Sequence, residues 1–338
     1  MFTRRHVSQV KLFEFLSQGK WGFIDKQGKI IVEPRFEAAH PAIGDLAEVL
    51  IGDKWGYADA SGKLVINATF DGTDGFSEGL AAVQFTGSRG KYTGYYGYID
   101  KSGKTIIEPI FEYAKDFSEG LAEIEVNHKW GYVDKLGNIA IKPQFDWTGP
   151  FSDGLALIIT DEKKSSGGPQ FPIVGNYGFI DKHGRIAIKN MFKWAGDFAY
   201  GLAPVKIGRK FGYINRTGKL VIGPRFDYAE AFSDGLAGIR VGNKWGFINN
   251  TGKVVIGPKF DKAVYFNEGL AAVYIGKPFE GLWGFIDKTG KMVIKPQFET
   301  ALYFSGGLAR VSPPTGEKIT GVWGYINTSG KYVWIRKD

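Results

Sequence analysis

Cysteine is absent from the 338 residues, which excludes a disulfide framework, a thiolate zinc site and a cysteine nucleophile. Histidine occurs four times, as His6, His40, His128 and His183. These fall at unrelated places, never at metal-ligand spacing, so no zinc centre is expected. No phosphate-binding glycine motif is present, and GSRG at 87–90 reads only as a loop. No apolar run approaches the roughly 20 residues of a membrane span. The opening MFTRRHVSQVKLFEFLSQGK carries arginines without the apolar stretch of a signal peptide. The expected location is cytoplasmic by that absence, or surface or periplasmic if a leader has been removed.

What is abundant is glycine, with 48 residues, and aromatic side chains, at 15%. Many short strands joined by turns account for such a composition better than an α/β enzyme does. The net charge is +8, from 43 basic and 35 acidic residues. The lysines recur at fixed turn positions and form no block, so they read as a solvated surface, and nucleic acid is not the expected partner.

The dominant signal is internal repetition. Aromatic-Gly-aromatic cores begin at Trp21, Trp55, Tyr96, Trp130, Tyr177, Phe211, Trp245, Trp283 and Trp323. The shortest spacing is 34 residues and the longest 47. Fifteen residues after each of the first eight core aromatics stands a Phe, from Phe36 to Phe298, and twenty-five after it a Leu, from Leu46 to Leu308. All length variation therefore lies between the Leu-Ala segment and the next core.

Each repeat reads as strands. The core strand, as in WGFID, alternates with period two and ends in a turn whose glycine (Gly28, Gly62, Gly103) supplies positive φ. A β-branched strand follows and stops at Pro, then a linker such as residues 224–235, then a Leu-Ala strand that returns to the next core. The expected fold is all-β, with nine three-stranded antiparallel meanders stacked as an open solenoid. A closed propeller-like ring is the alternative. The units of this single repeat domain run approximately 10–45, 46–79, 80–120, 121–154, 155–201, 202–235, 236–269, 270–307 and 308–338. Because the second strand is apolar on both faces (Val254, Val255, Ile256), sheets covered on both sides are expected. Linker aromatics such as Phe226 and Phe232 are placed to plug the seams between sheets.

With this register laid out, the segment KWGFINNTGKVVIGPKFDKAVYFNEGLAAV at 244–273 resembles the bacterial WG-repeat (KWG-repeat) family. The resemblance covers almost the whole chain. It implies a β-structured repeat protein with no common enzymatic activity and no catalytic residues to carry over. The chain departs from the Trp at Tyr96, Tyr177 and Phe211, and from the linker Pro at Ala68 and Asn190.

Repetition also separates scaffold from chemistry, since catalysis needs one site and not nine. The Asp closing the core strand (Asp25, Asp59, Asp100, Asp134, Asp181, Asp287) is Asn at Asn215, Asn249 and Asn327, which keeps the turn hydrogen bond without the charge. The acid after the linker Phe (Glu37, Asp71, Glu112, Asp146, Asp227, Asp261, Glu299) reads as the cap of a short turn. Residues 75–79, GFSEG, match the nucleophile-elbow pattern. FSEG recurs at 117–120 and FSDG at 151–154 and 232–235, so Ser77 reads as structural.

Function is therefore sought where the repeats differ. Insertions follow the Leu-Ala strand at 86–95, 160–176, 276–282 and 312–322. The expectation is a non-enzymatic scaffold for protein–protein interaction, with these loops on its binding face. Arg89, Lys91, Tyr92, Lys163, Lys164, Phe171 and Phe279 are the candidate contacts. Glycan or cell-envelope binding is the alternative. No cofactor is expected.

Overall fold

The computed structural model describes residues 10–85, 94–160, 176–314 and 321–336. Among these residues the regular structure is entirely β, arranged as nine antiparallel sheets, eight of four strands and one of three. The chain forms two compact units, Met1–Met191 and Phe192–Asp338. Both are made from the same kind of sheet.

In the fourth sheet the order is Tyr113–Ser118, Leu121–Val126, Lys129–Asp134 and Ile139–Phe145. The first of these is the linker. Phe117 and Ser118 pair with Ala122 and Leu121 across a two-residue turn. Glu119 and Gly120 of that turn both have positive φ, 53° and 87°, the backbone of a tight hairpin turn matched to strand twist. The linker lacks period-two alternation, so its pattern concealed a strand. The expected three-stranded meander is thus corrected to a four-stranded one. With it the open-solenoid expectation gives way, because a four-stranded up-and-down sheet is the blade of a β-propeller.

The core glycine has a steric cause. Trp130 pairs with Phe145 and Tyr132 with Ile141, so the outer strand carries extra residues opposite Gly131. A Cβ on Gly131 would lie 2.5 Å from the Ile141 carbonyl oxygen and 2.6 Å from the Pro143 nitrogen. The same clash arises at Gly56, Gly97, Gly212, Gly246 and Gly284. Proline sits at the bulge, where no ladder donor is needed.

The outer strand corrects a second expectation. In Ile139–Phe145 only Ile141 and Phe145 are buried, while Ile139 and Ala140 face solvent, and the other edge strands repeat this pattern. The outer strand is a sheet edge with a single buried face, and the bulge and proline in it discourage further strand pairing.

The seams are aromatic, as expected. Phe117 meets Tyr98 of the preceding sheet at 4.9 Å, Phe151 meets Tyr132 at 4.8 Å, and Phe266 meets Phe247 at 4.7 Å. Each of these Phe residues is almost fully buried, a contribution of about 2–3 kcal/mol per ring.

Candidate functional site

The polar residues that recur are committed to the scaffold. Asp134 Oδ1 accepts the backbone N–H groups of Leu136 and Asn138, both at 2.9 Å. Asn249 Oδ1 accepts those of Thr251 and Lys253 at 3.1 and 3.0 Å. A neutral amide does the same work, so the charge at this position has no essential part.

The acid after the linker Phe caps the next hairpin and also explains the lysine that precedes the core. Asp261 Oδ2 accepts the Gly276 N–H at 3.0 Å while Oδ1 accepts from Lys244 at 2.6 Å. Asp227 repeats this with Gly242 at 2.8 Å and Lys210 at 2.6 Å. The hydrogen bond from lysine holds both carboxyls below the ordinary aspartate range.

The FSEG turns clasp neighbouring sheets. Ser77 Oγ donates to the Phe117 carbonyl at 2.7 Å, and Ser118 Oγ donates to that of Phe151 at 2.7 Å. Glu78 accepts the Gly120 N–H at 3.1 Å, and Glu119 accepts that of Gly154 at 3.1 Å. Ser77 therefore has a structural partner, repeated one sheet further on.

Of the candidate contacts, Arg89, Lys91, Tyr92, Lys163, Lys164 and Phe171 lie outside the described residues. The described parts of the four insertions continue from hairpin pairs Phe85–Tyr95, Thr160–Asn176, Ile275–Leu282 and Val311–Gly324. Phe279 is described and is unusual on two counts. Its side chain is fully exposed, at 104%, and its φ is +67°, a conformation that L-residues with bulky side chains rarely adopt. The loop is nevertheless pinned. Tyr274 Oη donates to the Lys277 carbonyl at 2.8 Å and accepts the Gly281 N–H at 2.8 Å. The Glu280 and Gly281 N–H groups both return to the Lys277 carbonyl, at 3.1 and 3.0 Å.

Other non-repeating groups were missed because attention to loop length passes over substitutions at fixed register. They occupy the fourth and fifth positions after the linker Phe and the third position of the Leu-Ala strand. His40 hydrogen-bonds Glu48, which is buried, and stacks on Trp55 at 5.0 Å. Lys115 reaches Glu123 at 3.4 Å and lies over the rings of Trp130 and Trp147 at 4.6 and 5.1 Å. Burial pushes the Glu123 carboxyl up, against the pull of Lys115. Tyr265 and Tyr303 meet ring to ring at 5.1 Å.

Sheet pairing also gathers Glu112, Glu125 and His128, whose ligand atoms lie within 4.8 Å of one another. This proximity was illegible in sequence, because Glu112 and His128 are joined through strand register. His128 stands on an exposed turn and donates its backbone N–H to Glu112 at 3.0 Å.

Comparison with known proteins places this geometry. A solved structure described as the eukaryotic initiation factor superposes with a TM-score of 0.65 at 15% identity, covering 97% of this chain and 96% of that one. At that identity the likeness is one of fold alone. The dihydro-heme d1 dehydrogenase NirN matches at TM-score 0.46 and 12% identity, over 86% of this chain and 74% of its own. An uncharacterized protein of Listeria monocytogenes matches at 0.41 and 11%, over 85% and 89%. Both are too distant to carry an argument. A search of curated proteins found no match. The family model described as the WG containing repeat matches residues 21–55, 55–88, 96–130, 130–163, 177–211, 211–245, 245–277 and 283–312. The ninth core, at Trp323, lies beyond these matches. Eight matches in the register of the core strands leave one conclusion: the chain belongs to the WG-containing repeat family.

Proposed function

We propose that this protein is a non-enzymatic scaffold of propeller-type blades that binds a protein partner through the loops between the Leu-Ala and core strands. The observation that carries this reading is Phe279, an apolar ring held in water on a strained but hydrogen-bonded loop. Strained conformations persist where the surroundings impose them and cluster at binding sites. A preorganised aromatic loses little freedom on binding, which is why such residues anchor interfaces. The test is to place a photoreactive phenylalanine analogue at position 279 and identify what it crosslinks. Recovery of one protein, lost when the ring is absent, supports the reading; crosslinks to no protein overturn it. Deleting residues 163–173 should spare folding and reduce capture of the same partner.

The four-stranded unit further supports blades closed into a ring, which solution scattering would report as a compact disc; a long envelope would restore the open solenoid.

Glycan binding is a second reading, favoured by the Tyr265–Tyr303 pair, since two adjacent half-exposed rings suit a sugar face. Retention in a polysaccharide affinity gel that is lost in Tyr303→Ala would favour it.

A further inference from the structure

The acid after the linker Phe is balanced, in most repeats, by a lysine of its own sheet. Lys20 meets Glu37, Lys54 meets Asp71, Lys129 meets Asp146, Lys210 meets Asp227 and Lys244 meets Asp261. The fifth repeat loses both members together, with Lys193 in place of the acid and Asn176 in place of the lysine. The third repeat breaks this balance. Glu112 is retained, yet Tyr95 stands where the lysine belongs.

The negative charge there is increased instead of removed. The Glu112 N–H donates to the Glu125 carbonyl at 3.0 Å, which sets the two acids on paired strands. The residue in Glu125's place is Leu50, Gln84, Arg240, Tyr274 or Ser312 in other sheets, never an acid. The eighth repeat also lacks the lysine, with Leu282 before Glu299, but Ser312 beside it adds no charge. The turn after Glu125 supplies His128, where other turns hold Asp53, Arg209 or Asn243. Its Nδ1 stands 3.6 Å from a Glu112 carboxylate oxygen. One ligand atom from each of Glu112, Glu125 and His128 lies within 4.8 Å of the others. Burial and the charge of Glu112 push the Glu125 carboxyl up, against the pull of His128 and Lys115.

We propose that Glu112, Glu125 and His128 hold a divalent transition-metal ion of the zinc class, which supplies the positive charge that lysine supplies in the other repeats. An imidazole nitrogen among the ligands suits zinc, copper or nickel, whereas calcium and magnesium take oxygen ligands and more of them. Bonds of about 2.0–2.2 Å bring tetrahedral ligand atoms about 3.5 Å apart. That is a small closure from the observed spread, within reach of the exposed His128 ring turning inward. Three protein ligands leave the fourth position to water. Spacing along the chain hides this set, because Glu112 reaches the other two across a strand pair.

Isothermal titration of the full chain with zinc chloride at neutral pH is the test. The wild type should bind one zinc ion at this site, and excess calcium chloride should not displace it. His128→Ala and Glu125→Gln should each weaken binding about tenfold or more, since even outer-shell partners of a metal are worth about 10- to 100-fold. Tyr95→Lys should weaken it too although it removes no ligand, because it restores the lysine that occupies the acid elsewhere. Tyr95→Phe, which adds no charge, should bind as the wild type does, and thermal unfolding of each variant reports whether the fold is kept. Absence of zinc binding, or zinc that calcium displaces, overturns the site. Binding left unchanged by Glu125→Gln overturns it as well, since a lone exposed histidine would then hold the ion; so does binding left unchanged by Tyr95→Lys.

Discussion

The Glu78 carboxylate meets the Lys135 ammonium at 2.9 Å, although 57 residues separate them. Glu119 and Lys182 repeat the contact at 3.1 Å, and Asp234 and Lys288 at 2.6 Å. Each acid also accepts a glycine N–H of the next sheet, so one side chain ties together turns from successive repeats. Burial of Glu78 opposes its ionisation, but Lys135 and the Gly120 amide outweigh this and hold the carboxyl below its ordinary value. A carboxyl depressed in the folded state stabilises above its unfolded value and loses that contribution as pH falls through the folded one. Glu78→Ala should therefore lower stability at pH 7 by about 1 kcal/mol, discounted for partial exposure. The difference should shrink as pH falls below the ordinary glutamate value, as chemical denaturation at neutral and acid pH would reveal.

Gly131→Ala places a methyl group against the Ile141 carbonyl. Backbone must move to relieve it, so a loss of about 2–4 kcal/mol is expected. Trp130→Tyr should be far milder, because Tyr96 and Tyr177 occupy the equivalent position. Equal losses from the two changes in urea unfolding would refute the bulge as the reason for the glycine.

Tyr98 is fully buried and donates its hydroxyl to the Lys115 carbonyl at 2.8 Å. Burial, with the charges of Glu123 and Asp116, pushes it well above the ordinary tyrosine range. Burial also pushes Tyr96 up to about 12. Groups raised in the folded state stabilise fully below the unfolded pKa and lose that contribution as pH rises through the folded one. Stability should fall from about pH 10 upward. Ultraviolet titration should show Tyr98 ionising only on unfolding and Tyr96 only near pH 12; reversible ionisation of both near pH 10 would contradict the packing.

Lys115→Met leaves Glu123 buried without its cation and should cost about 2–3 kcal/mol at pH 7. The folded carboxyl then stands above its unfolded value, so the deficit shrinks as pH falls and the buried form becomes neutral. Lys115→Met combined with Glu123→Leu should recover most of the loss. A double variant as unstable as the single would show that Lys115 acts through the tryptophan rings alone.

Phe279→Gly should behave oppositely to a core change. Glycine adopts positive φ without the penalty borne by a side chain. A gain of about 1 kcal/mol is expected, together with loss of binding through the loop. Thermal unfolding beside the crosslinking partner would separate the two effects.

Much of this was legible in advance. The repeat register located every core strand, the linker aromatics exemplified by Phe232 were read as seam residues, and the Asp/Asn exchange identified the turn residue as structural. The linker strand was not legible, since Tyr113–Ser118 shows no alternation and is held by backbone pairing with Leu121–Val126. Nor was the exposed edge, because Ile139 and Ile141 look alike in sequence and differ only in which face of the outer strand they occupy. At the candidate site, Phe279 was identified by its insertion. Its strain and its tether to Tyr274 depend on contacts across strands.

By itself the sequence determined the family, the ninefold strand register and the division between repeating scaffold and variable loops. Those follow from local steric demands that recur with the chain. Only tertiary structure decided that the linker is a fourth strand, that Ala42 and Ile43 pair with the preceding sheet, and that charges 57 residues apart meet. These depend on which backbone edges and side chains the packing brings within hydrogen-bond reach, and a one-dimensional pattern does not encode distance.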